Sequence, residues 1–84
     1  MTYHIVFETR AKREFVKLAR ESQVMLSPVI NDLSSAPRPH GVKKLQSKDG
    51  YRLRKGTFRI LYTIDDKAKT VCIYRIGHRR TVYR

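Results

Sequence analysis

Tyr51-Arg52-Leu53-Arg54 alternates in character residue by residue, and Phe58-Arg59-Ile60-Leu61-Tyr62 follows after Lys55-Gly56-Thr57. A period of two sends neighbouring side chains to opposite faces of a strand, so Arg52 and Arg54 share one face, opposite Tyr51 and Leu53. Arg59 falls opposite Phe58, Ile60 and Tyr62. If the apolar sides are buried, the three guanidiniums converge on an exposed face. The tail then supplies Gly77-His78-Arg79-Arg80 and Tyr83. Arginine forks match phosphate oxygens through paired hydrogen bonds. An imidazole can move protons near neutral pH, and His78 supplies one. A tyrosine at Tyr83 can stack on a base, which contributes ~1–3 kcal/mol in single-strand binders. This is an inventory for RNA phosphodiester chemistry: a 2′-OH must lose a proton, a phosphorane needs donors, and the leaving oxygen must gain a proton. Spacing alone favours phosphate binding over cleavage, and a lone histidine is more often a surface or core residue than a catalyst.

Those residues need a scaffold. Tyr3-His4-Ile5-Val6-Phe7 alternates and predicts a first strand with Tyr3, Ile5 and Phe7 on one face. Thr9 can cap the helix that follows, whose apolar positions Ala11, Phe15 and Leu18 recur at helical spacing. Met25, Leu26, Val29, Ile30 and Leu33 form the stripe of a second helix, which we read as running from about Glu21 through Pro28. Residues 34–41 read as a linker rich in helix-stopping and turn-forming residues. Strands are expected at 51–54, 57–64 and 70–76, joined by turns at Lys55-Gly56 and Asp65-Asp66-Lys67 into an antiparallel meander. The expected fold class is α+β: one strand, two helices, then three strands, in a single domain over residues 1–84 with the helices on one sheet face. Tyr3, Tyr62 and Tyr74 are expected in the core, and His4 and His40 have no assigned role.

Composition narrows the function classes. The chain has 84 residues, with 19 Lys+Arg against 7 Asp+Glu. Residues 38–84 hold 14 of the basic groups and only Asp49, Asp65 and Asp66 as acids. Such one-signed charge implies a polyanionic partner, nucleic acid or an acidic protein. A domain this small has no room for a deep small-molecule pocket. The single cysteine, Cys72, excludes an internal disulfide framework and reads as a small buried hydrophobe. No carboxylate cluster accompanies the arginines, so neither a metal nor another cofactor is expected. No apolar run reaches the ~20 residues of a membrane span, and the expected location is the cytoplasm.

Two strings are more specific. Pro37-Arg38-Pro39 and Gly41-Val42-Lys43-Lys44-Leu45, followed by Tyr51 to Tyr62, resemble the RelE/ParE superfamily of toxins, and Ile76-Gly77-His78-Arg79-Arg80-Thr81-Val82-Tyr83 resembles its RelE branch. The resemblance spans essentially the whole chain. It implies the toxin of a type II toxin–antitoxin system: a metal-independent endoribonuclease that cuts mRNA in the ribosomal A site, leaving a 2′,3′-cyclic phosphate. It also implies site roles. Arg52 and Arg54 would hold the RNA backbone and share in proton transfer, Arg59 would stabilise the transition state, Arg79 would protonate the leaving oxygen, and Tyr83 would stack on a base. Lys43, Lys44, Lys48, Lys55 and Arg80 would contact RNA or ribosome. The expected partner is a RelB-like antitoxin in a hetero-oligomer. Departures exist: well-studied members carry lysines at the places of Arg52 and Arg54. Arginine is a poor general base because it stays protonated, so His78 is the candidate to share proton transfer. The rival readings are a ParE-like inhibitor of DNA gyrase and a non-catalytic RNA-binding module.

Overall fold

The computed structural model describes residues 2–45 and 50–78. The elements are β1 (His4–Phe7), α1 (Thr9–Val16), α2 (Arg20–Asp32), β2 (Lys43–Lys44), β3 (Gly50–Lys55), β4 (Phe58–Asp65) and β5 (Thr70–His78). They build a 5-stranded sheet in the order β1-β5-β4-β3-β2. β1 pairs parallel to β5, and the other neighbours are antiparallel. The expected α+β class and the β3-β4-β5 meander are as read from the alternation. The short β2 was not anticipated, since two lysines in sequence carry no strand signal.

The helices cover one face of the sheet. Ala11 of α1 and Leu26 and Ile30 of α2, with Leu33 just beyond it, join Leu53, Phe58, Ile60, Tyr62, Val71, Ile73 and Ile76 in one buried cluster. Helix α2 continues through Pro28, as its apolar stripe required. Proline removes one backbone donor there, and Ser27 Oγ donates to the carbonyl of Gln23 at 2.8 Å one residue earlier. The cap of α1 differs from the expectation. Glu8, not Thr9, is the N-cap residue and makes no side-chain cap bond. The far end of α1 is closed by α2, where Gln23 Nε2 donates to the carbonyls of Phe15 (2.9 Å) and Val16 (3.1 Å).

Turn chemistry fixes the meander. Gly56 and Thr57 form a two-residue loop between paired Lys55 and Phe58, and Gly56 takes φ +60°. A positive φ at the first central position matches the strand twist and favours glycine. Between β4 and β5, Asp65 Oδ1 accepts from the Ala68 N–H at 3.0 Å. The linker is pinned to the sheet by Tyr62, whose hydroxyl donates to the Pro37 carbonyl at 2.8 Å. Burial pushes the Tyr62 phenol well above its usual pKa, so it keeps that proton.

The ladder between β4 and β5 shifts register between Leu61 and Tyr62: Tyr62 faces Ile73, whereas Leu61 faces Arg75. Tyr74 is therefore the extra residue of a β-bulge. Ahead of it Val71 and Ile73 face the helices; beyond it Ile76 does. Tyr74 accordingly does not join the core cluster, contrary to expectation. Cys72 is also corrected. It lies on the face away from the helices, is only half-buried, and its Sγ sits 4.0 Å from Glu8 Oε2. Burial and then the Glu8 carboxylate push the thiol pKa up. Among the described residues, no helix is long and apolar enough to cross a membrane.

Candidate nucleic-acid interface

Residues directly opposed in an antiparallel pair lie on the same face. The register therefore lays out the face away from the helices in two rows. One runs Lys43, Arg52, Leu61, Arg75 across β2, β3, β4 and β5. The next runs Arg54, Arg59, Gly77 across β3, β4 and β5. Neighbouring strands lie about 4.8 Å apart, so each row packs its cations at close range. The expected convergence of Arg52, Arg54 and Arg59 is present.

Their exposures differ. Arg54 is exposed and Arg52 is half-buried. Arg59, expected on an exposed face, is buried to 8% of its accessible surface. Low local dielectric strengthens whatever a buried guanidinium meets, and removes its solvation. Leu61, between Arg52 and Arg75, is also buried, at 4% exposed. The face thus has an apolar floor.

Arg75 is the residue that sequence reading missed. Uniform alternation after Val71 and Ile73 assigns it to the core side, and the bulge at Tyr74 turns it out to join Arg52. The signal was available: Ile73 and Ile76, three apart, can both face the core only if a residue is inserted between them. Arg75 is held by Glu14 of α1, whose Oε2 accepts from Arg75 Nε at 3.0 Å while its Oε1 accepts from the Ile76 N–H at 2.9 Å.

His78 does not join the arginines. It is the Cα partner of Phe58, and the two rings stack with centroids 4.5 Å apart. Two residues beyond Ile76, it falls on the Phe58 side of the sheet for the same reason that Ile76 does. Its Nδ1 is 3.4 Å from Thr57 Oγ1. Lys43 and Lys44 form β2 and are exposed, and Lys55 closes β3, also exposed. Lys48, Arg79, Arg80 and Tyr83 lie outside the described residues. Among the described residues, no group of three or more His, Cys, Asp or Glu side chains is placed to hold a metal ion.

The opposite end of β3 is braced by a polar network. Arg38 donates Nη2 to Asp66 Oδ2 (2.9 Å), Nη1 to Asp66 Oδ1 (3.3 Å) and Nε to the Tyr51 hydroxyl (3.1 Å). Tyr3 donates its hydroxyl to Asp66 Oδ1 at 2.6 Å. The Arg38 guanidinium, and then the Tyr3 hydroxyl, hold the Asp66 carboxyl down to about 2. Tyr51 stacks on Tyr62 at 5.8 Å. This network joins the linker, β1 and the β4–β5 turn.

The architecture defines a class: a small mixed-sheet α+β domain with one helical face and one cationic face. Comparison with known proteins places it further. The family model described as "ParE toxin of type II toxin-antitoxin system, parDE" matches residues 5–83. Toxin RelG of Mycobacterium tuberculosis is 37% identical over 86 residues, covering 100% of this chain and 99% of RelG. Among solved structures, the RelBE2 toxin–antitoxin complex of M. tuberculosis superposes with a TM-score of 0.83 at 34% identity, over 94% of this chain and 100% of that one. The isolated RelE toxin of E. coli gives 0.81 at 25% identity, over 96% of this chain and 90% of that one. The chain belongs to the RelE/ParE family of type II toxin–antitoxin toxins, with a RelE-like fold.

Proposed function

We propose that this toxin is a metal-independent endoribonuclease that cuts mRNA in the ribosomal A site. The observation that carries the reading is the two-row arginine face, with Arg59 buried at its centre and Arg52, Arg54 and Arg75 around it. A gyrase inhibitor that works by protein contact does not need such an arrangement. Arg52 and Arg54 grip the backbone phosphates through their forks. Arg59, preorganised and desolvated, donates to the phosphorane oxygens as negative charge develops, a contribution of ~3 kcal/mol for a donor of this kind. The 2′-OH gives up its proton to solvent as its oxygen attacks the adjacent phosphorus, the bond to the 5′-oxygen breaks as that oxygen takes up a proton, and a 2′,3′-cyclic phosphate and a 5′-OH result. In this reading Arg79 protonates the leaving oxygen and Tyr83 stacks on a base. Lys43, Lys44, Lys48, Lys55 and Arg80 add contacts to RNA or ribosome. Because its imidazole lies against Phe58, we leave His78 out of the proton transfer. No cofactor enters the reaction.

The partner in this reading is a RelB-like antitoxin, an acidic or amphipathic segment that folds over the cationic face and forms a hetero-oligomer with the toxin. The comparison structures include RelE toxins solved with RelB from M. tuberculosis and E. coli, which supports that partner.

Inducible expression with primer extension on a reporter mRNA tests the function. Growth arrest with new cuts inside the translated region, absent in Arg59→Ala, is the expected result. Arrest without cuts would favour the second reading, a ParE-like block of gyrase, which the description of the matching family model keeps in play. Neither arrest nor cuts would leave an RNA-binding module.

A further inference from the structure

We propose that Glu14 is a positioning residue for the cationic face, an inference that rests on the ribonuclease reading above. The pairing of β1 with β5 ends at Phe7 and Ile73. Beyond that point β5 has a strand neighbour, β4, on one side only, and the bulge at Tyr74 interrupts the ladder at the same place. A strand that loses a neighbour next to a bulge has little to fix its register or its backbone donors. Glu14 takes the place of the missing strand. One carboxylate oxygen accepts from the Ile76 N–H at 2.9 Å, and the other accepts from Arg75 Nε at 3.0 Å. Arg10, one turn earlier on α1, adds a second cation 3.9 Å from the same oxygen. The Glu14 and Arg75 side chains are 24% and 12% exposed, so the pair is largely shielded from solvent.

The placement matters because one residue of each cationic row depends on it. Arg75 ends the row that begins at Lys43 and Arg52, and Gly77 ends the row of Arg54 and Arg59. The chain then runs on toward Arg79 and Tyr83. A carboxylate beside a face meant for phosphate would weaken attraction to RNA if it acted through charge alone. Glu14 instead sets geometry: it orients the Arg75 guanidinium and fixes the backbone from which Gly77 and the tail depart. Binding of RNA along the rows needs only the cations; chemistry needs them in register.

The test compares wild type, Glu14→Gln and Glu14→Ala in single-turnover and saturation kinetics of mRNA cleavage on ribosomes, with amide exchange on the free toxin. Gln can still accept from the Ile76 N–H but offers no second acceptor to Arg75. Glu14→Ala is expected to lower kcat by about tenfold or more with KM changed by less than about twofold, because misplacement penalises the transition state and not the encounter. Glu14→Gln should fall between. Exchange at the Ile76 amide should accelerate in Glu14→Ala while that of Val71 and Ile73 stays at the wild-type rate. A Glu14→Ala toxin with wild-type kcat, or one whose loss follows only a fall in folded fraction, overturns the positioning role alone. A wild-type toxin that leaves mRNA intact overturns the ribonuclease reading, and this role with it.

Discussion

Arg54 and Arg59 stand directly opposite one another across the β3–β4 ladder, the first exposed and the second almost wholly buried. Like charges opposed on a sheet face destabilise it, and this pair sits at the centre of a face that carries two further arginines. The arrangement suits a polyanion laid along the face. In the ribonuclease reading, fold stability and function are therefore set against each other at these positions.

Removing the exposed member should release that conflict. Arg54→Gln is expected to raise the free energy of unfolding by about 0.2–1 kcal/mol, the range of cross-strand pair energies. It should also weaken binding to a short RNA and reduce the salt dependence of that binding by about one phosphate contact. Urea melts and RNA titrations at several salt concentrations measure both. Lower stability in the variant would contradict the repulsion.

Removing the buried member should abolish the chemistry. Arg59→Ala is expected to lower the cleavage rate by about 100-fold or more, the loss seen when one preorganised donor is deleted. Arg59→Lys should not restore it, because an ammonium lacks the planar fork. Rates measured on protein with a wild-type melting curve decide the matter, and a Lys variant of full activity would argue against a fork-specific contact.

Gly50 and Tyr74 should be energetically coupled. A Cβ added at Gly50 would meet the Tyr74 hydroxyl at 2.8 Å and Leu45 Cδ1 at 3.3 Å. Gly50→Ala is expected to destabilise the fold by about 1–3 kcal/mol, as overpacking does. Tyr74→Phe removes the clashing atom, so the double variant should recover much of the loss. A double-mutant cycle in thermal or urea unfolding measures the coupling, and strict additivity would show that Tyr74 does not reach Gly50.

The Asp66 network predicts a pH effect. Its folded carboxyl titrates at about 2, held down by Arg38 and Tyr3, while an unfolded aspartate titrates near ~3.9. The depressed value means the contribution is fully present above about pH 4 and disappears as the pH falls through about 2. Asp66→Asn should melt below wild type at pH 6 and approach it near pH 2. Because the ion pair is at the surface, 1 M salt should narrow the difference at pH 6. Parallel melting curves across the whole pH range would rule out the linkage.

Much of this was legible in the chain. The alternation of Tyr51-Arg52-Leu53-Arg54 placed two arginines together, and the offset of Arg59 from Phe58 and Ile60 placed the third beside them. The stripe from Met25 to Leu33 carried α2 through Pro28, because burial of Leu26 and Ile30 outweighs one lost backbone donor. What failed lay around Tyr74: expected in the core, it is the inserted residue of a bulge, and the bulge sets Ile73 and Ile76 on one face, Arg75 on the cationic face and His78 off it. Cys72 failed for another reason: an apolar run in a strand buries only one of its faces, and Cys72 is on the other. Glu14 gave no sign in sequence, since its partners lie 61 and 62 residues away.

The parallel pairing of β1 with β5 has a consequence for the protein's birth. His4 to Phe7 are made well before their ladder partners Thr70 to Ile73. The first strand must wait, unpaired, until β5 has been made. Contacts so distant in sequence close late and slowly. A nascent chain therefore cannot complete this sheet, or set Arg75 in a row with Arg52, until β5 has been made.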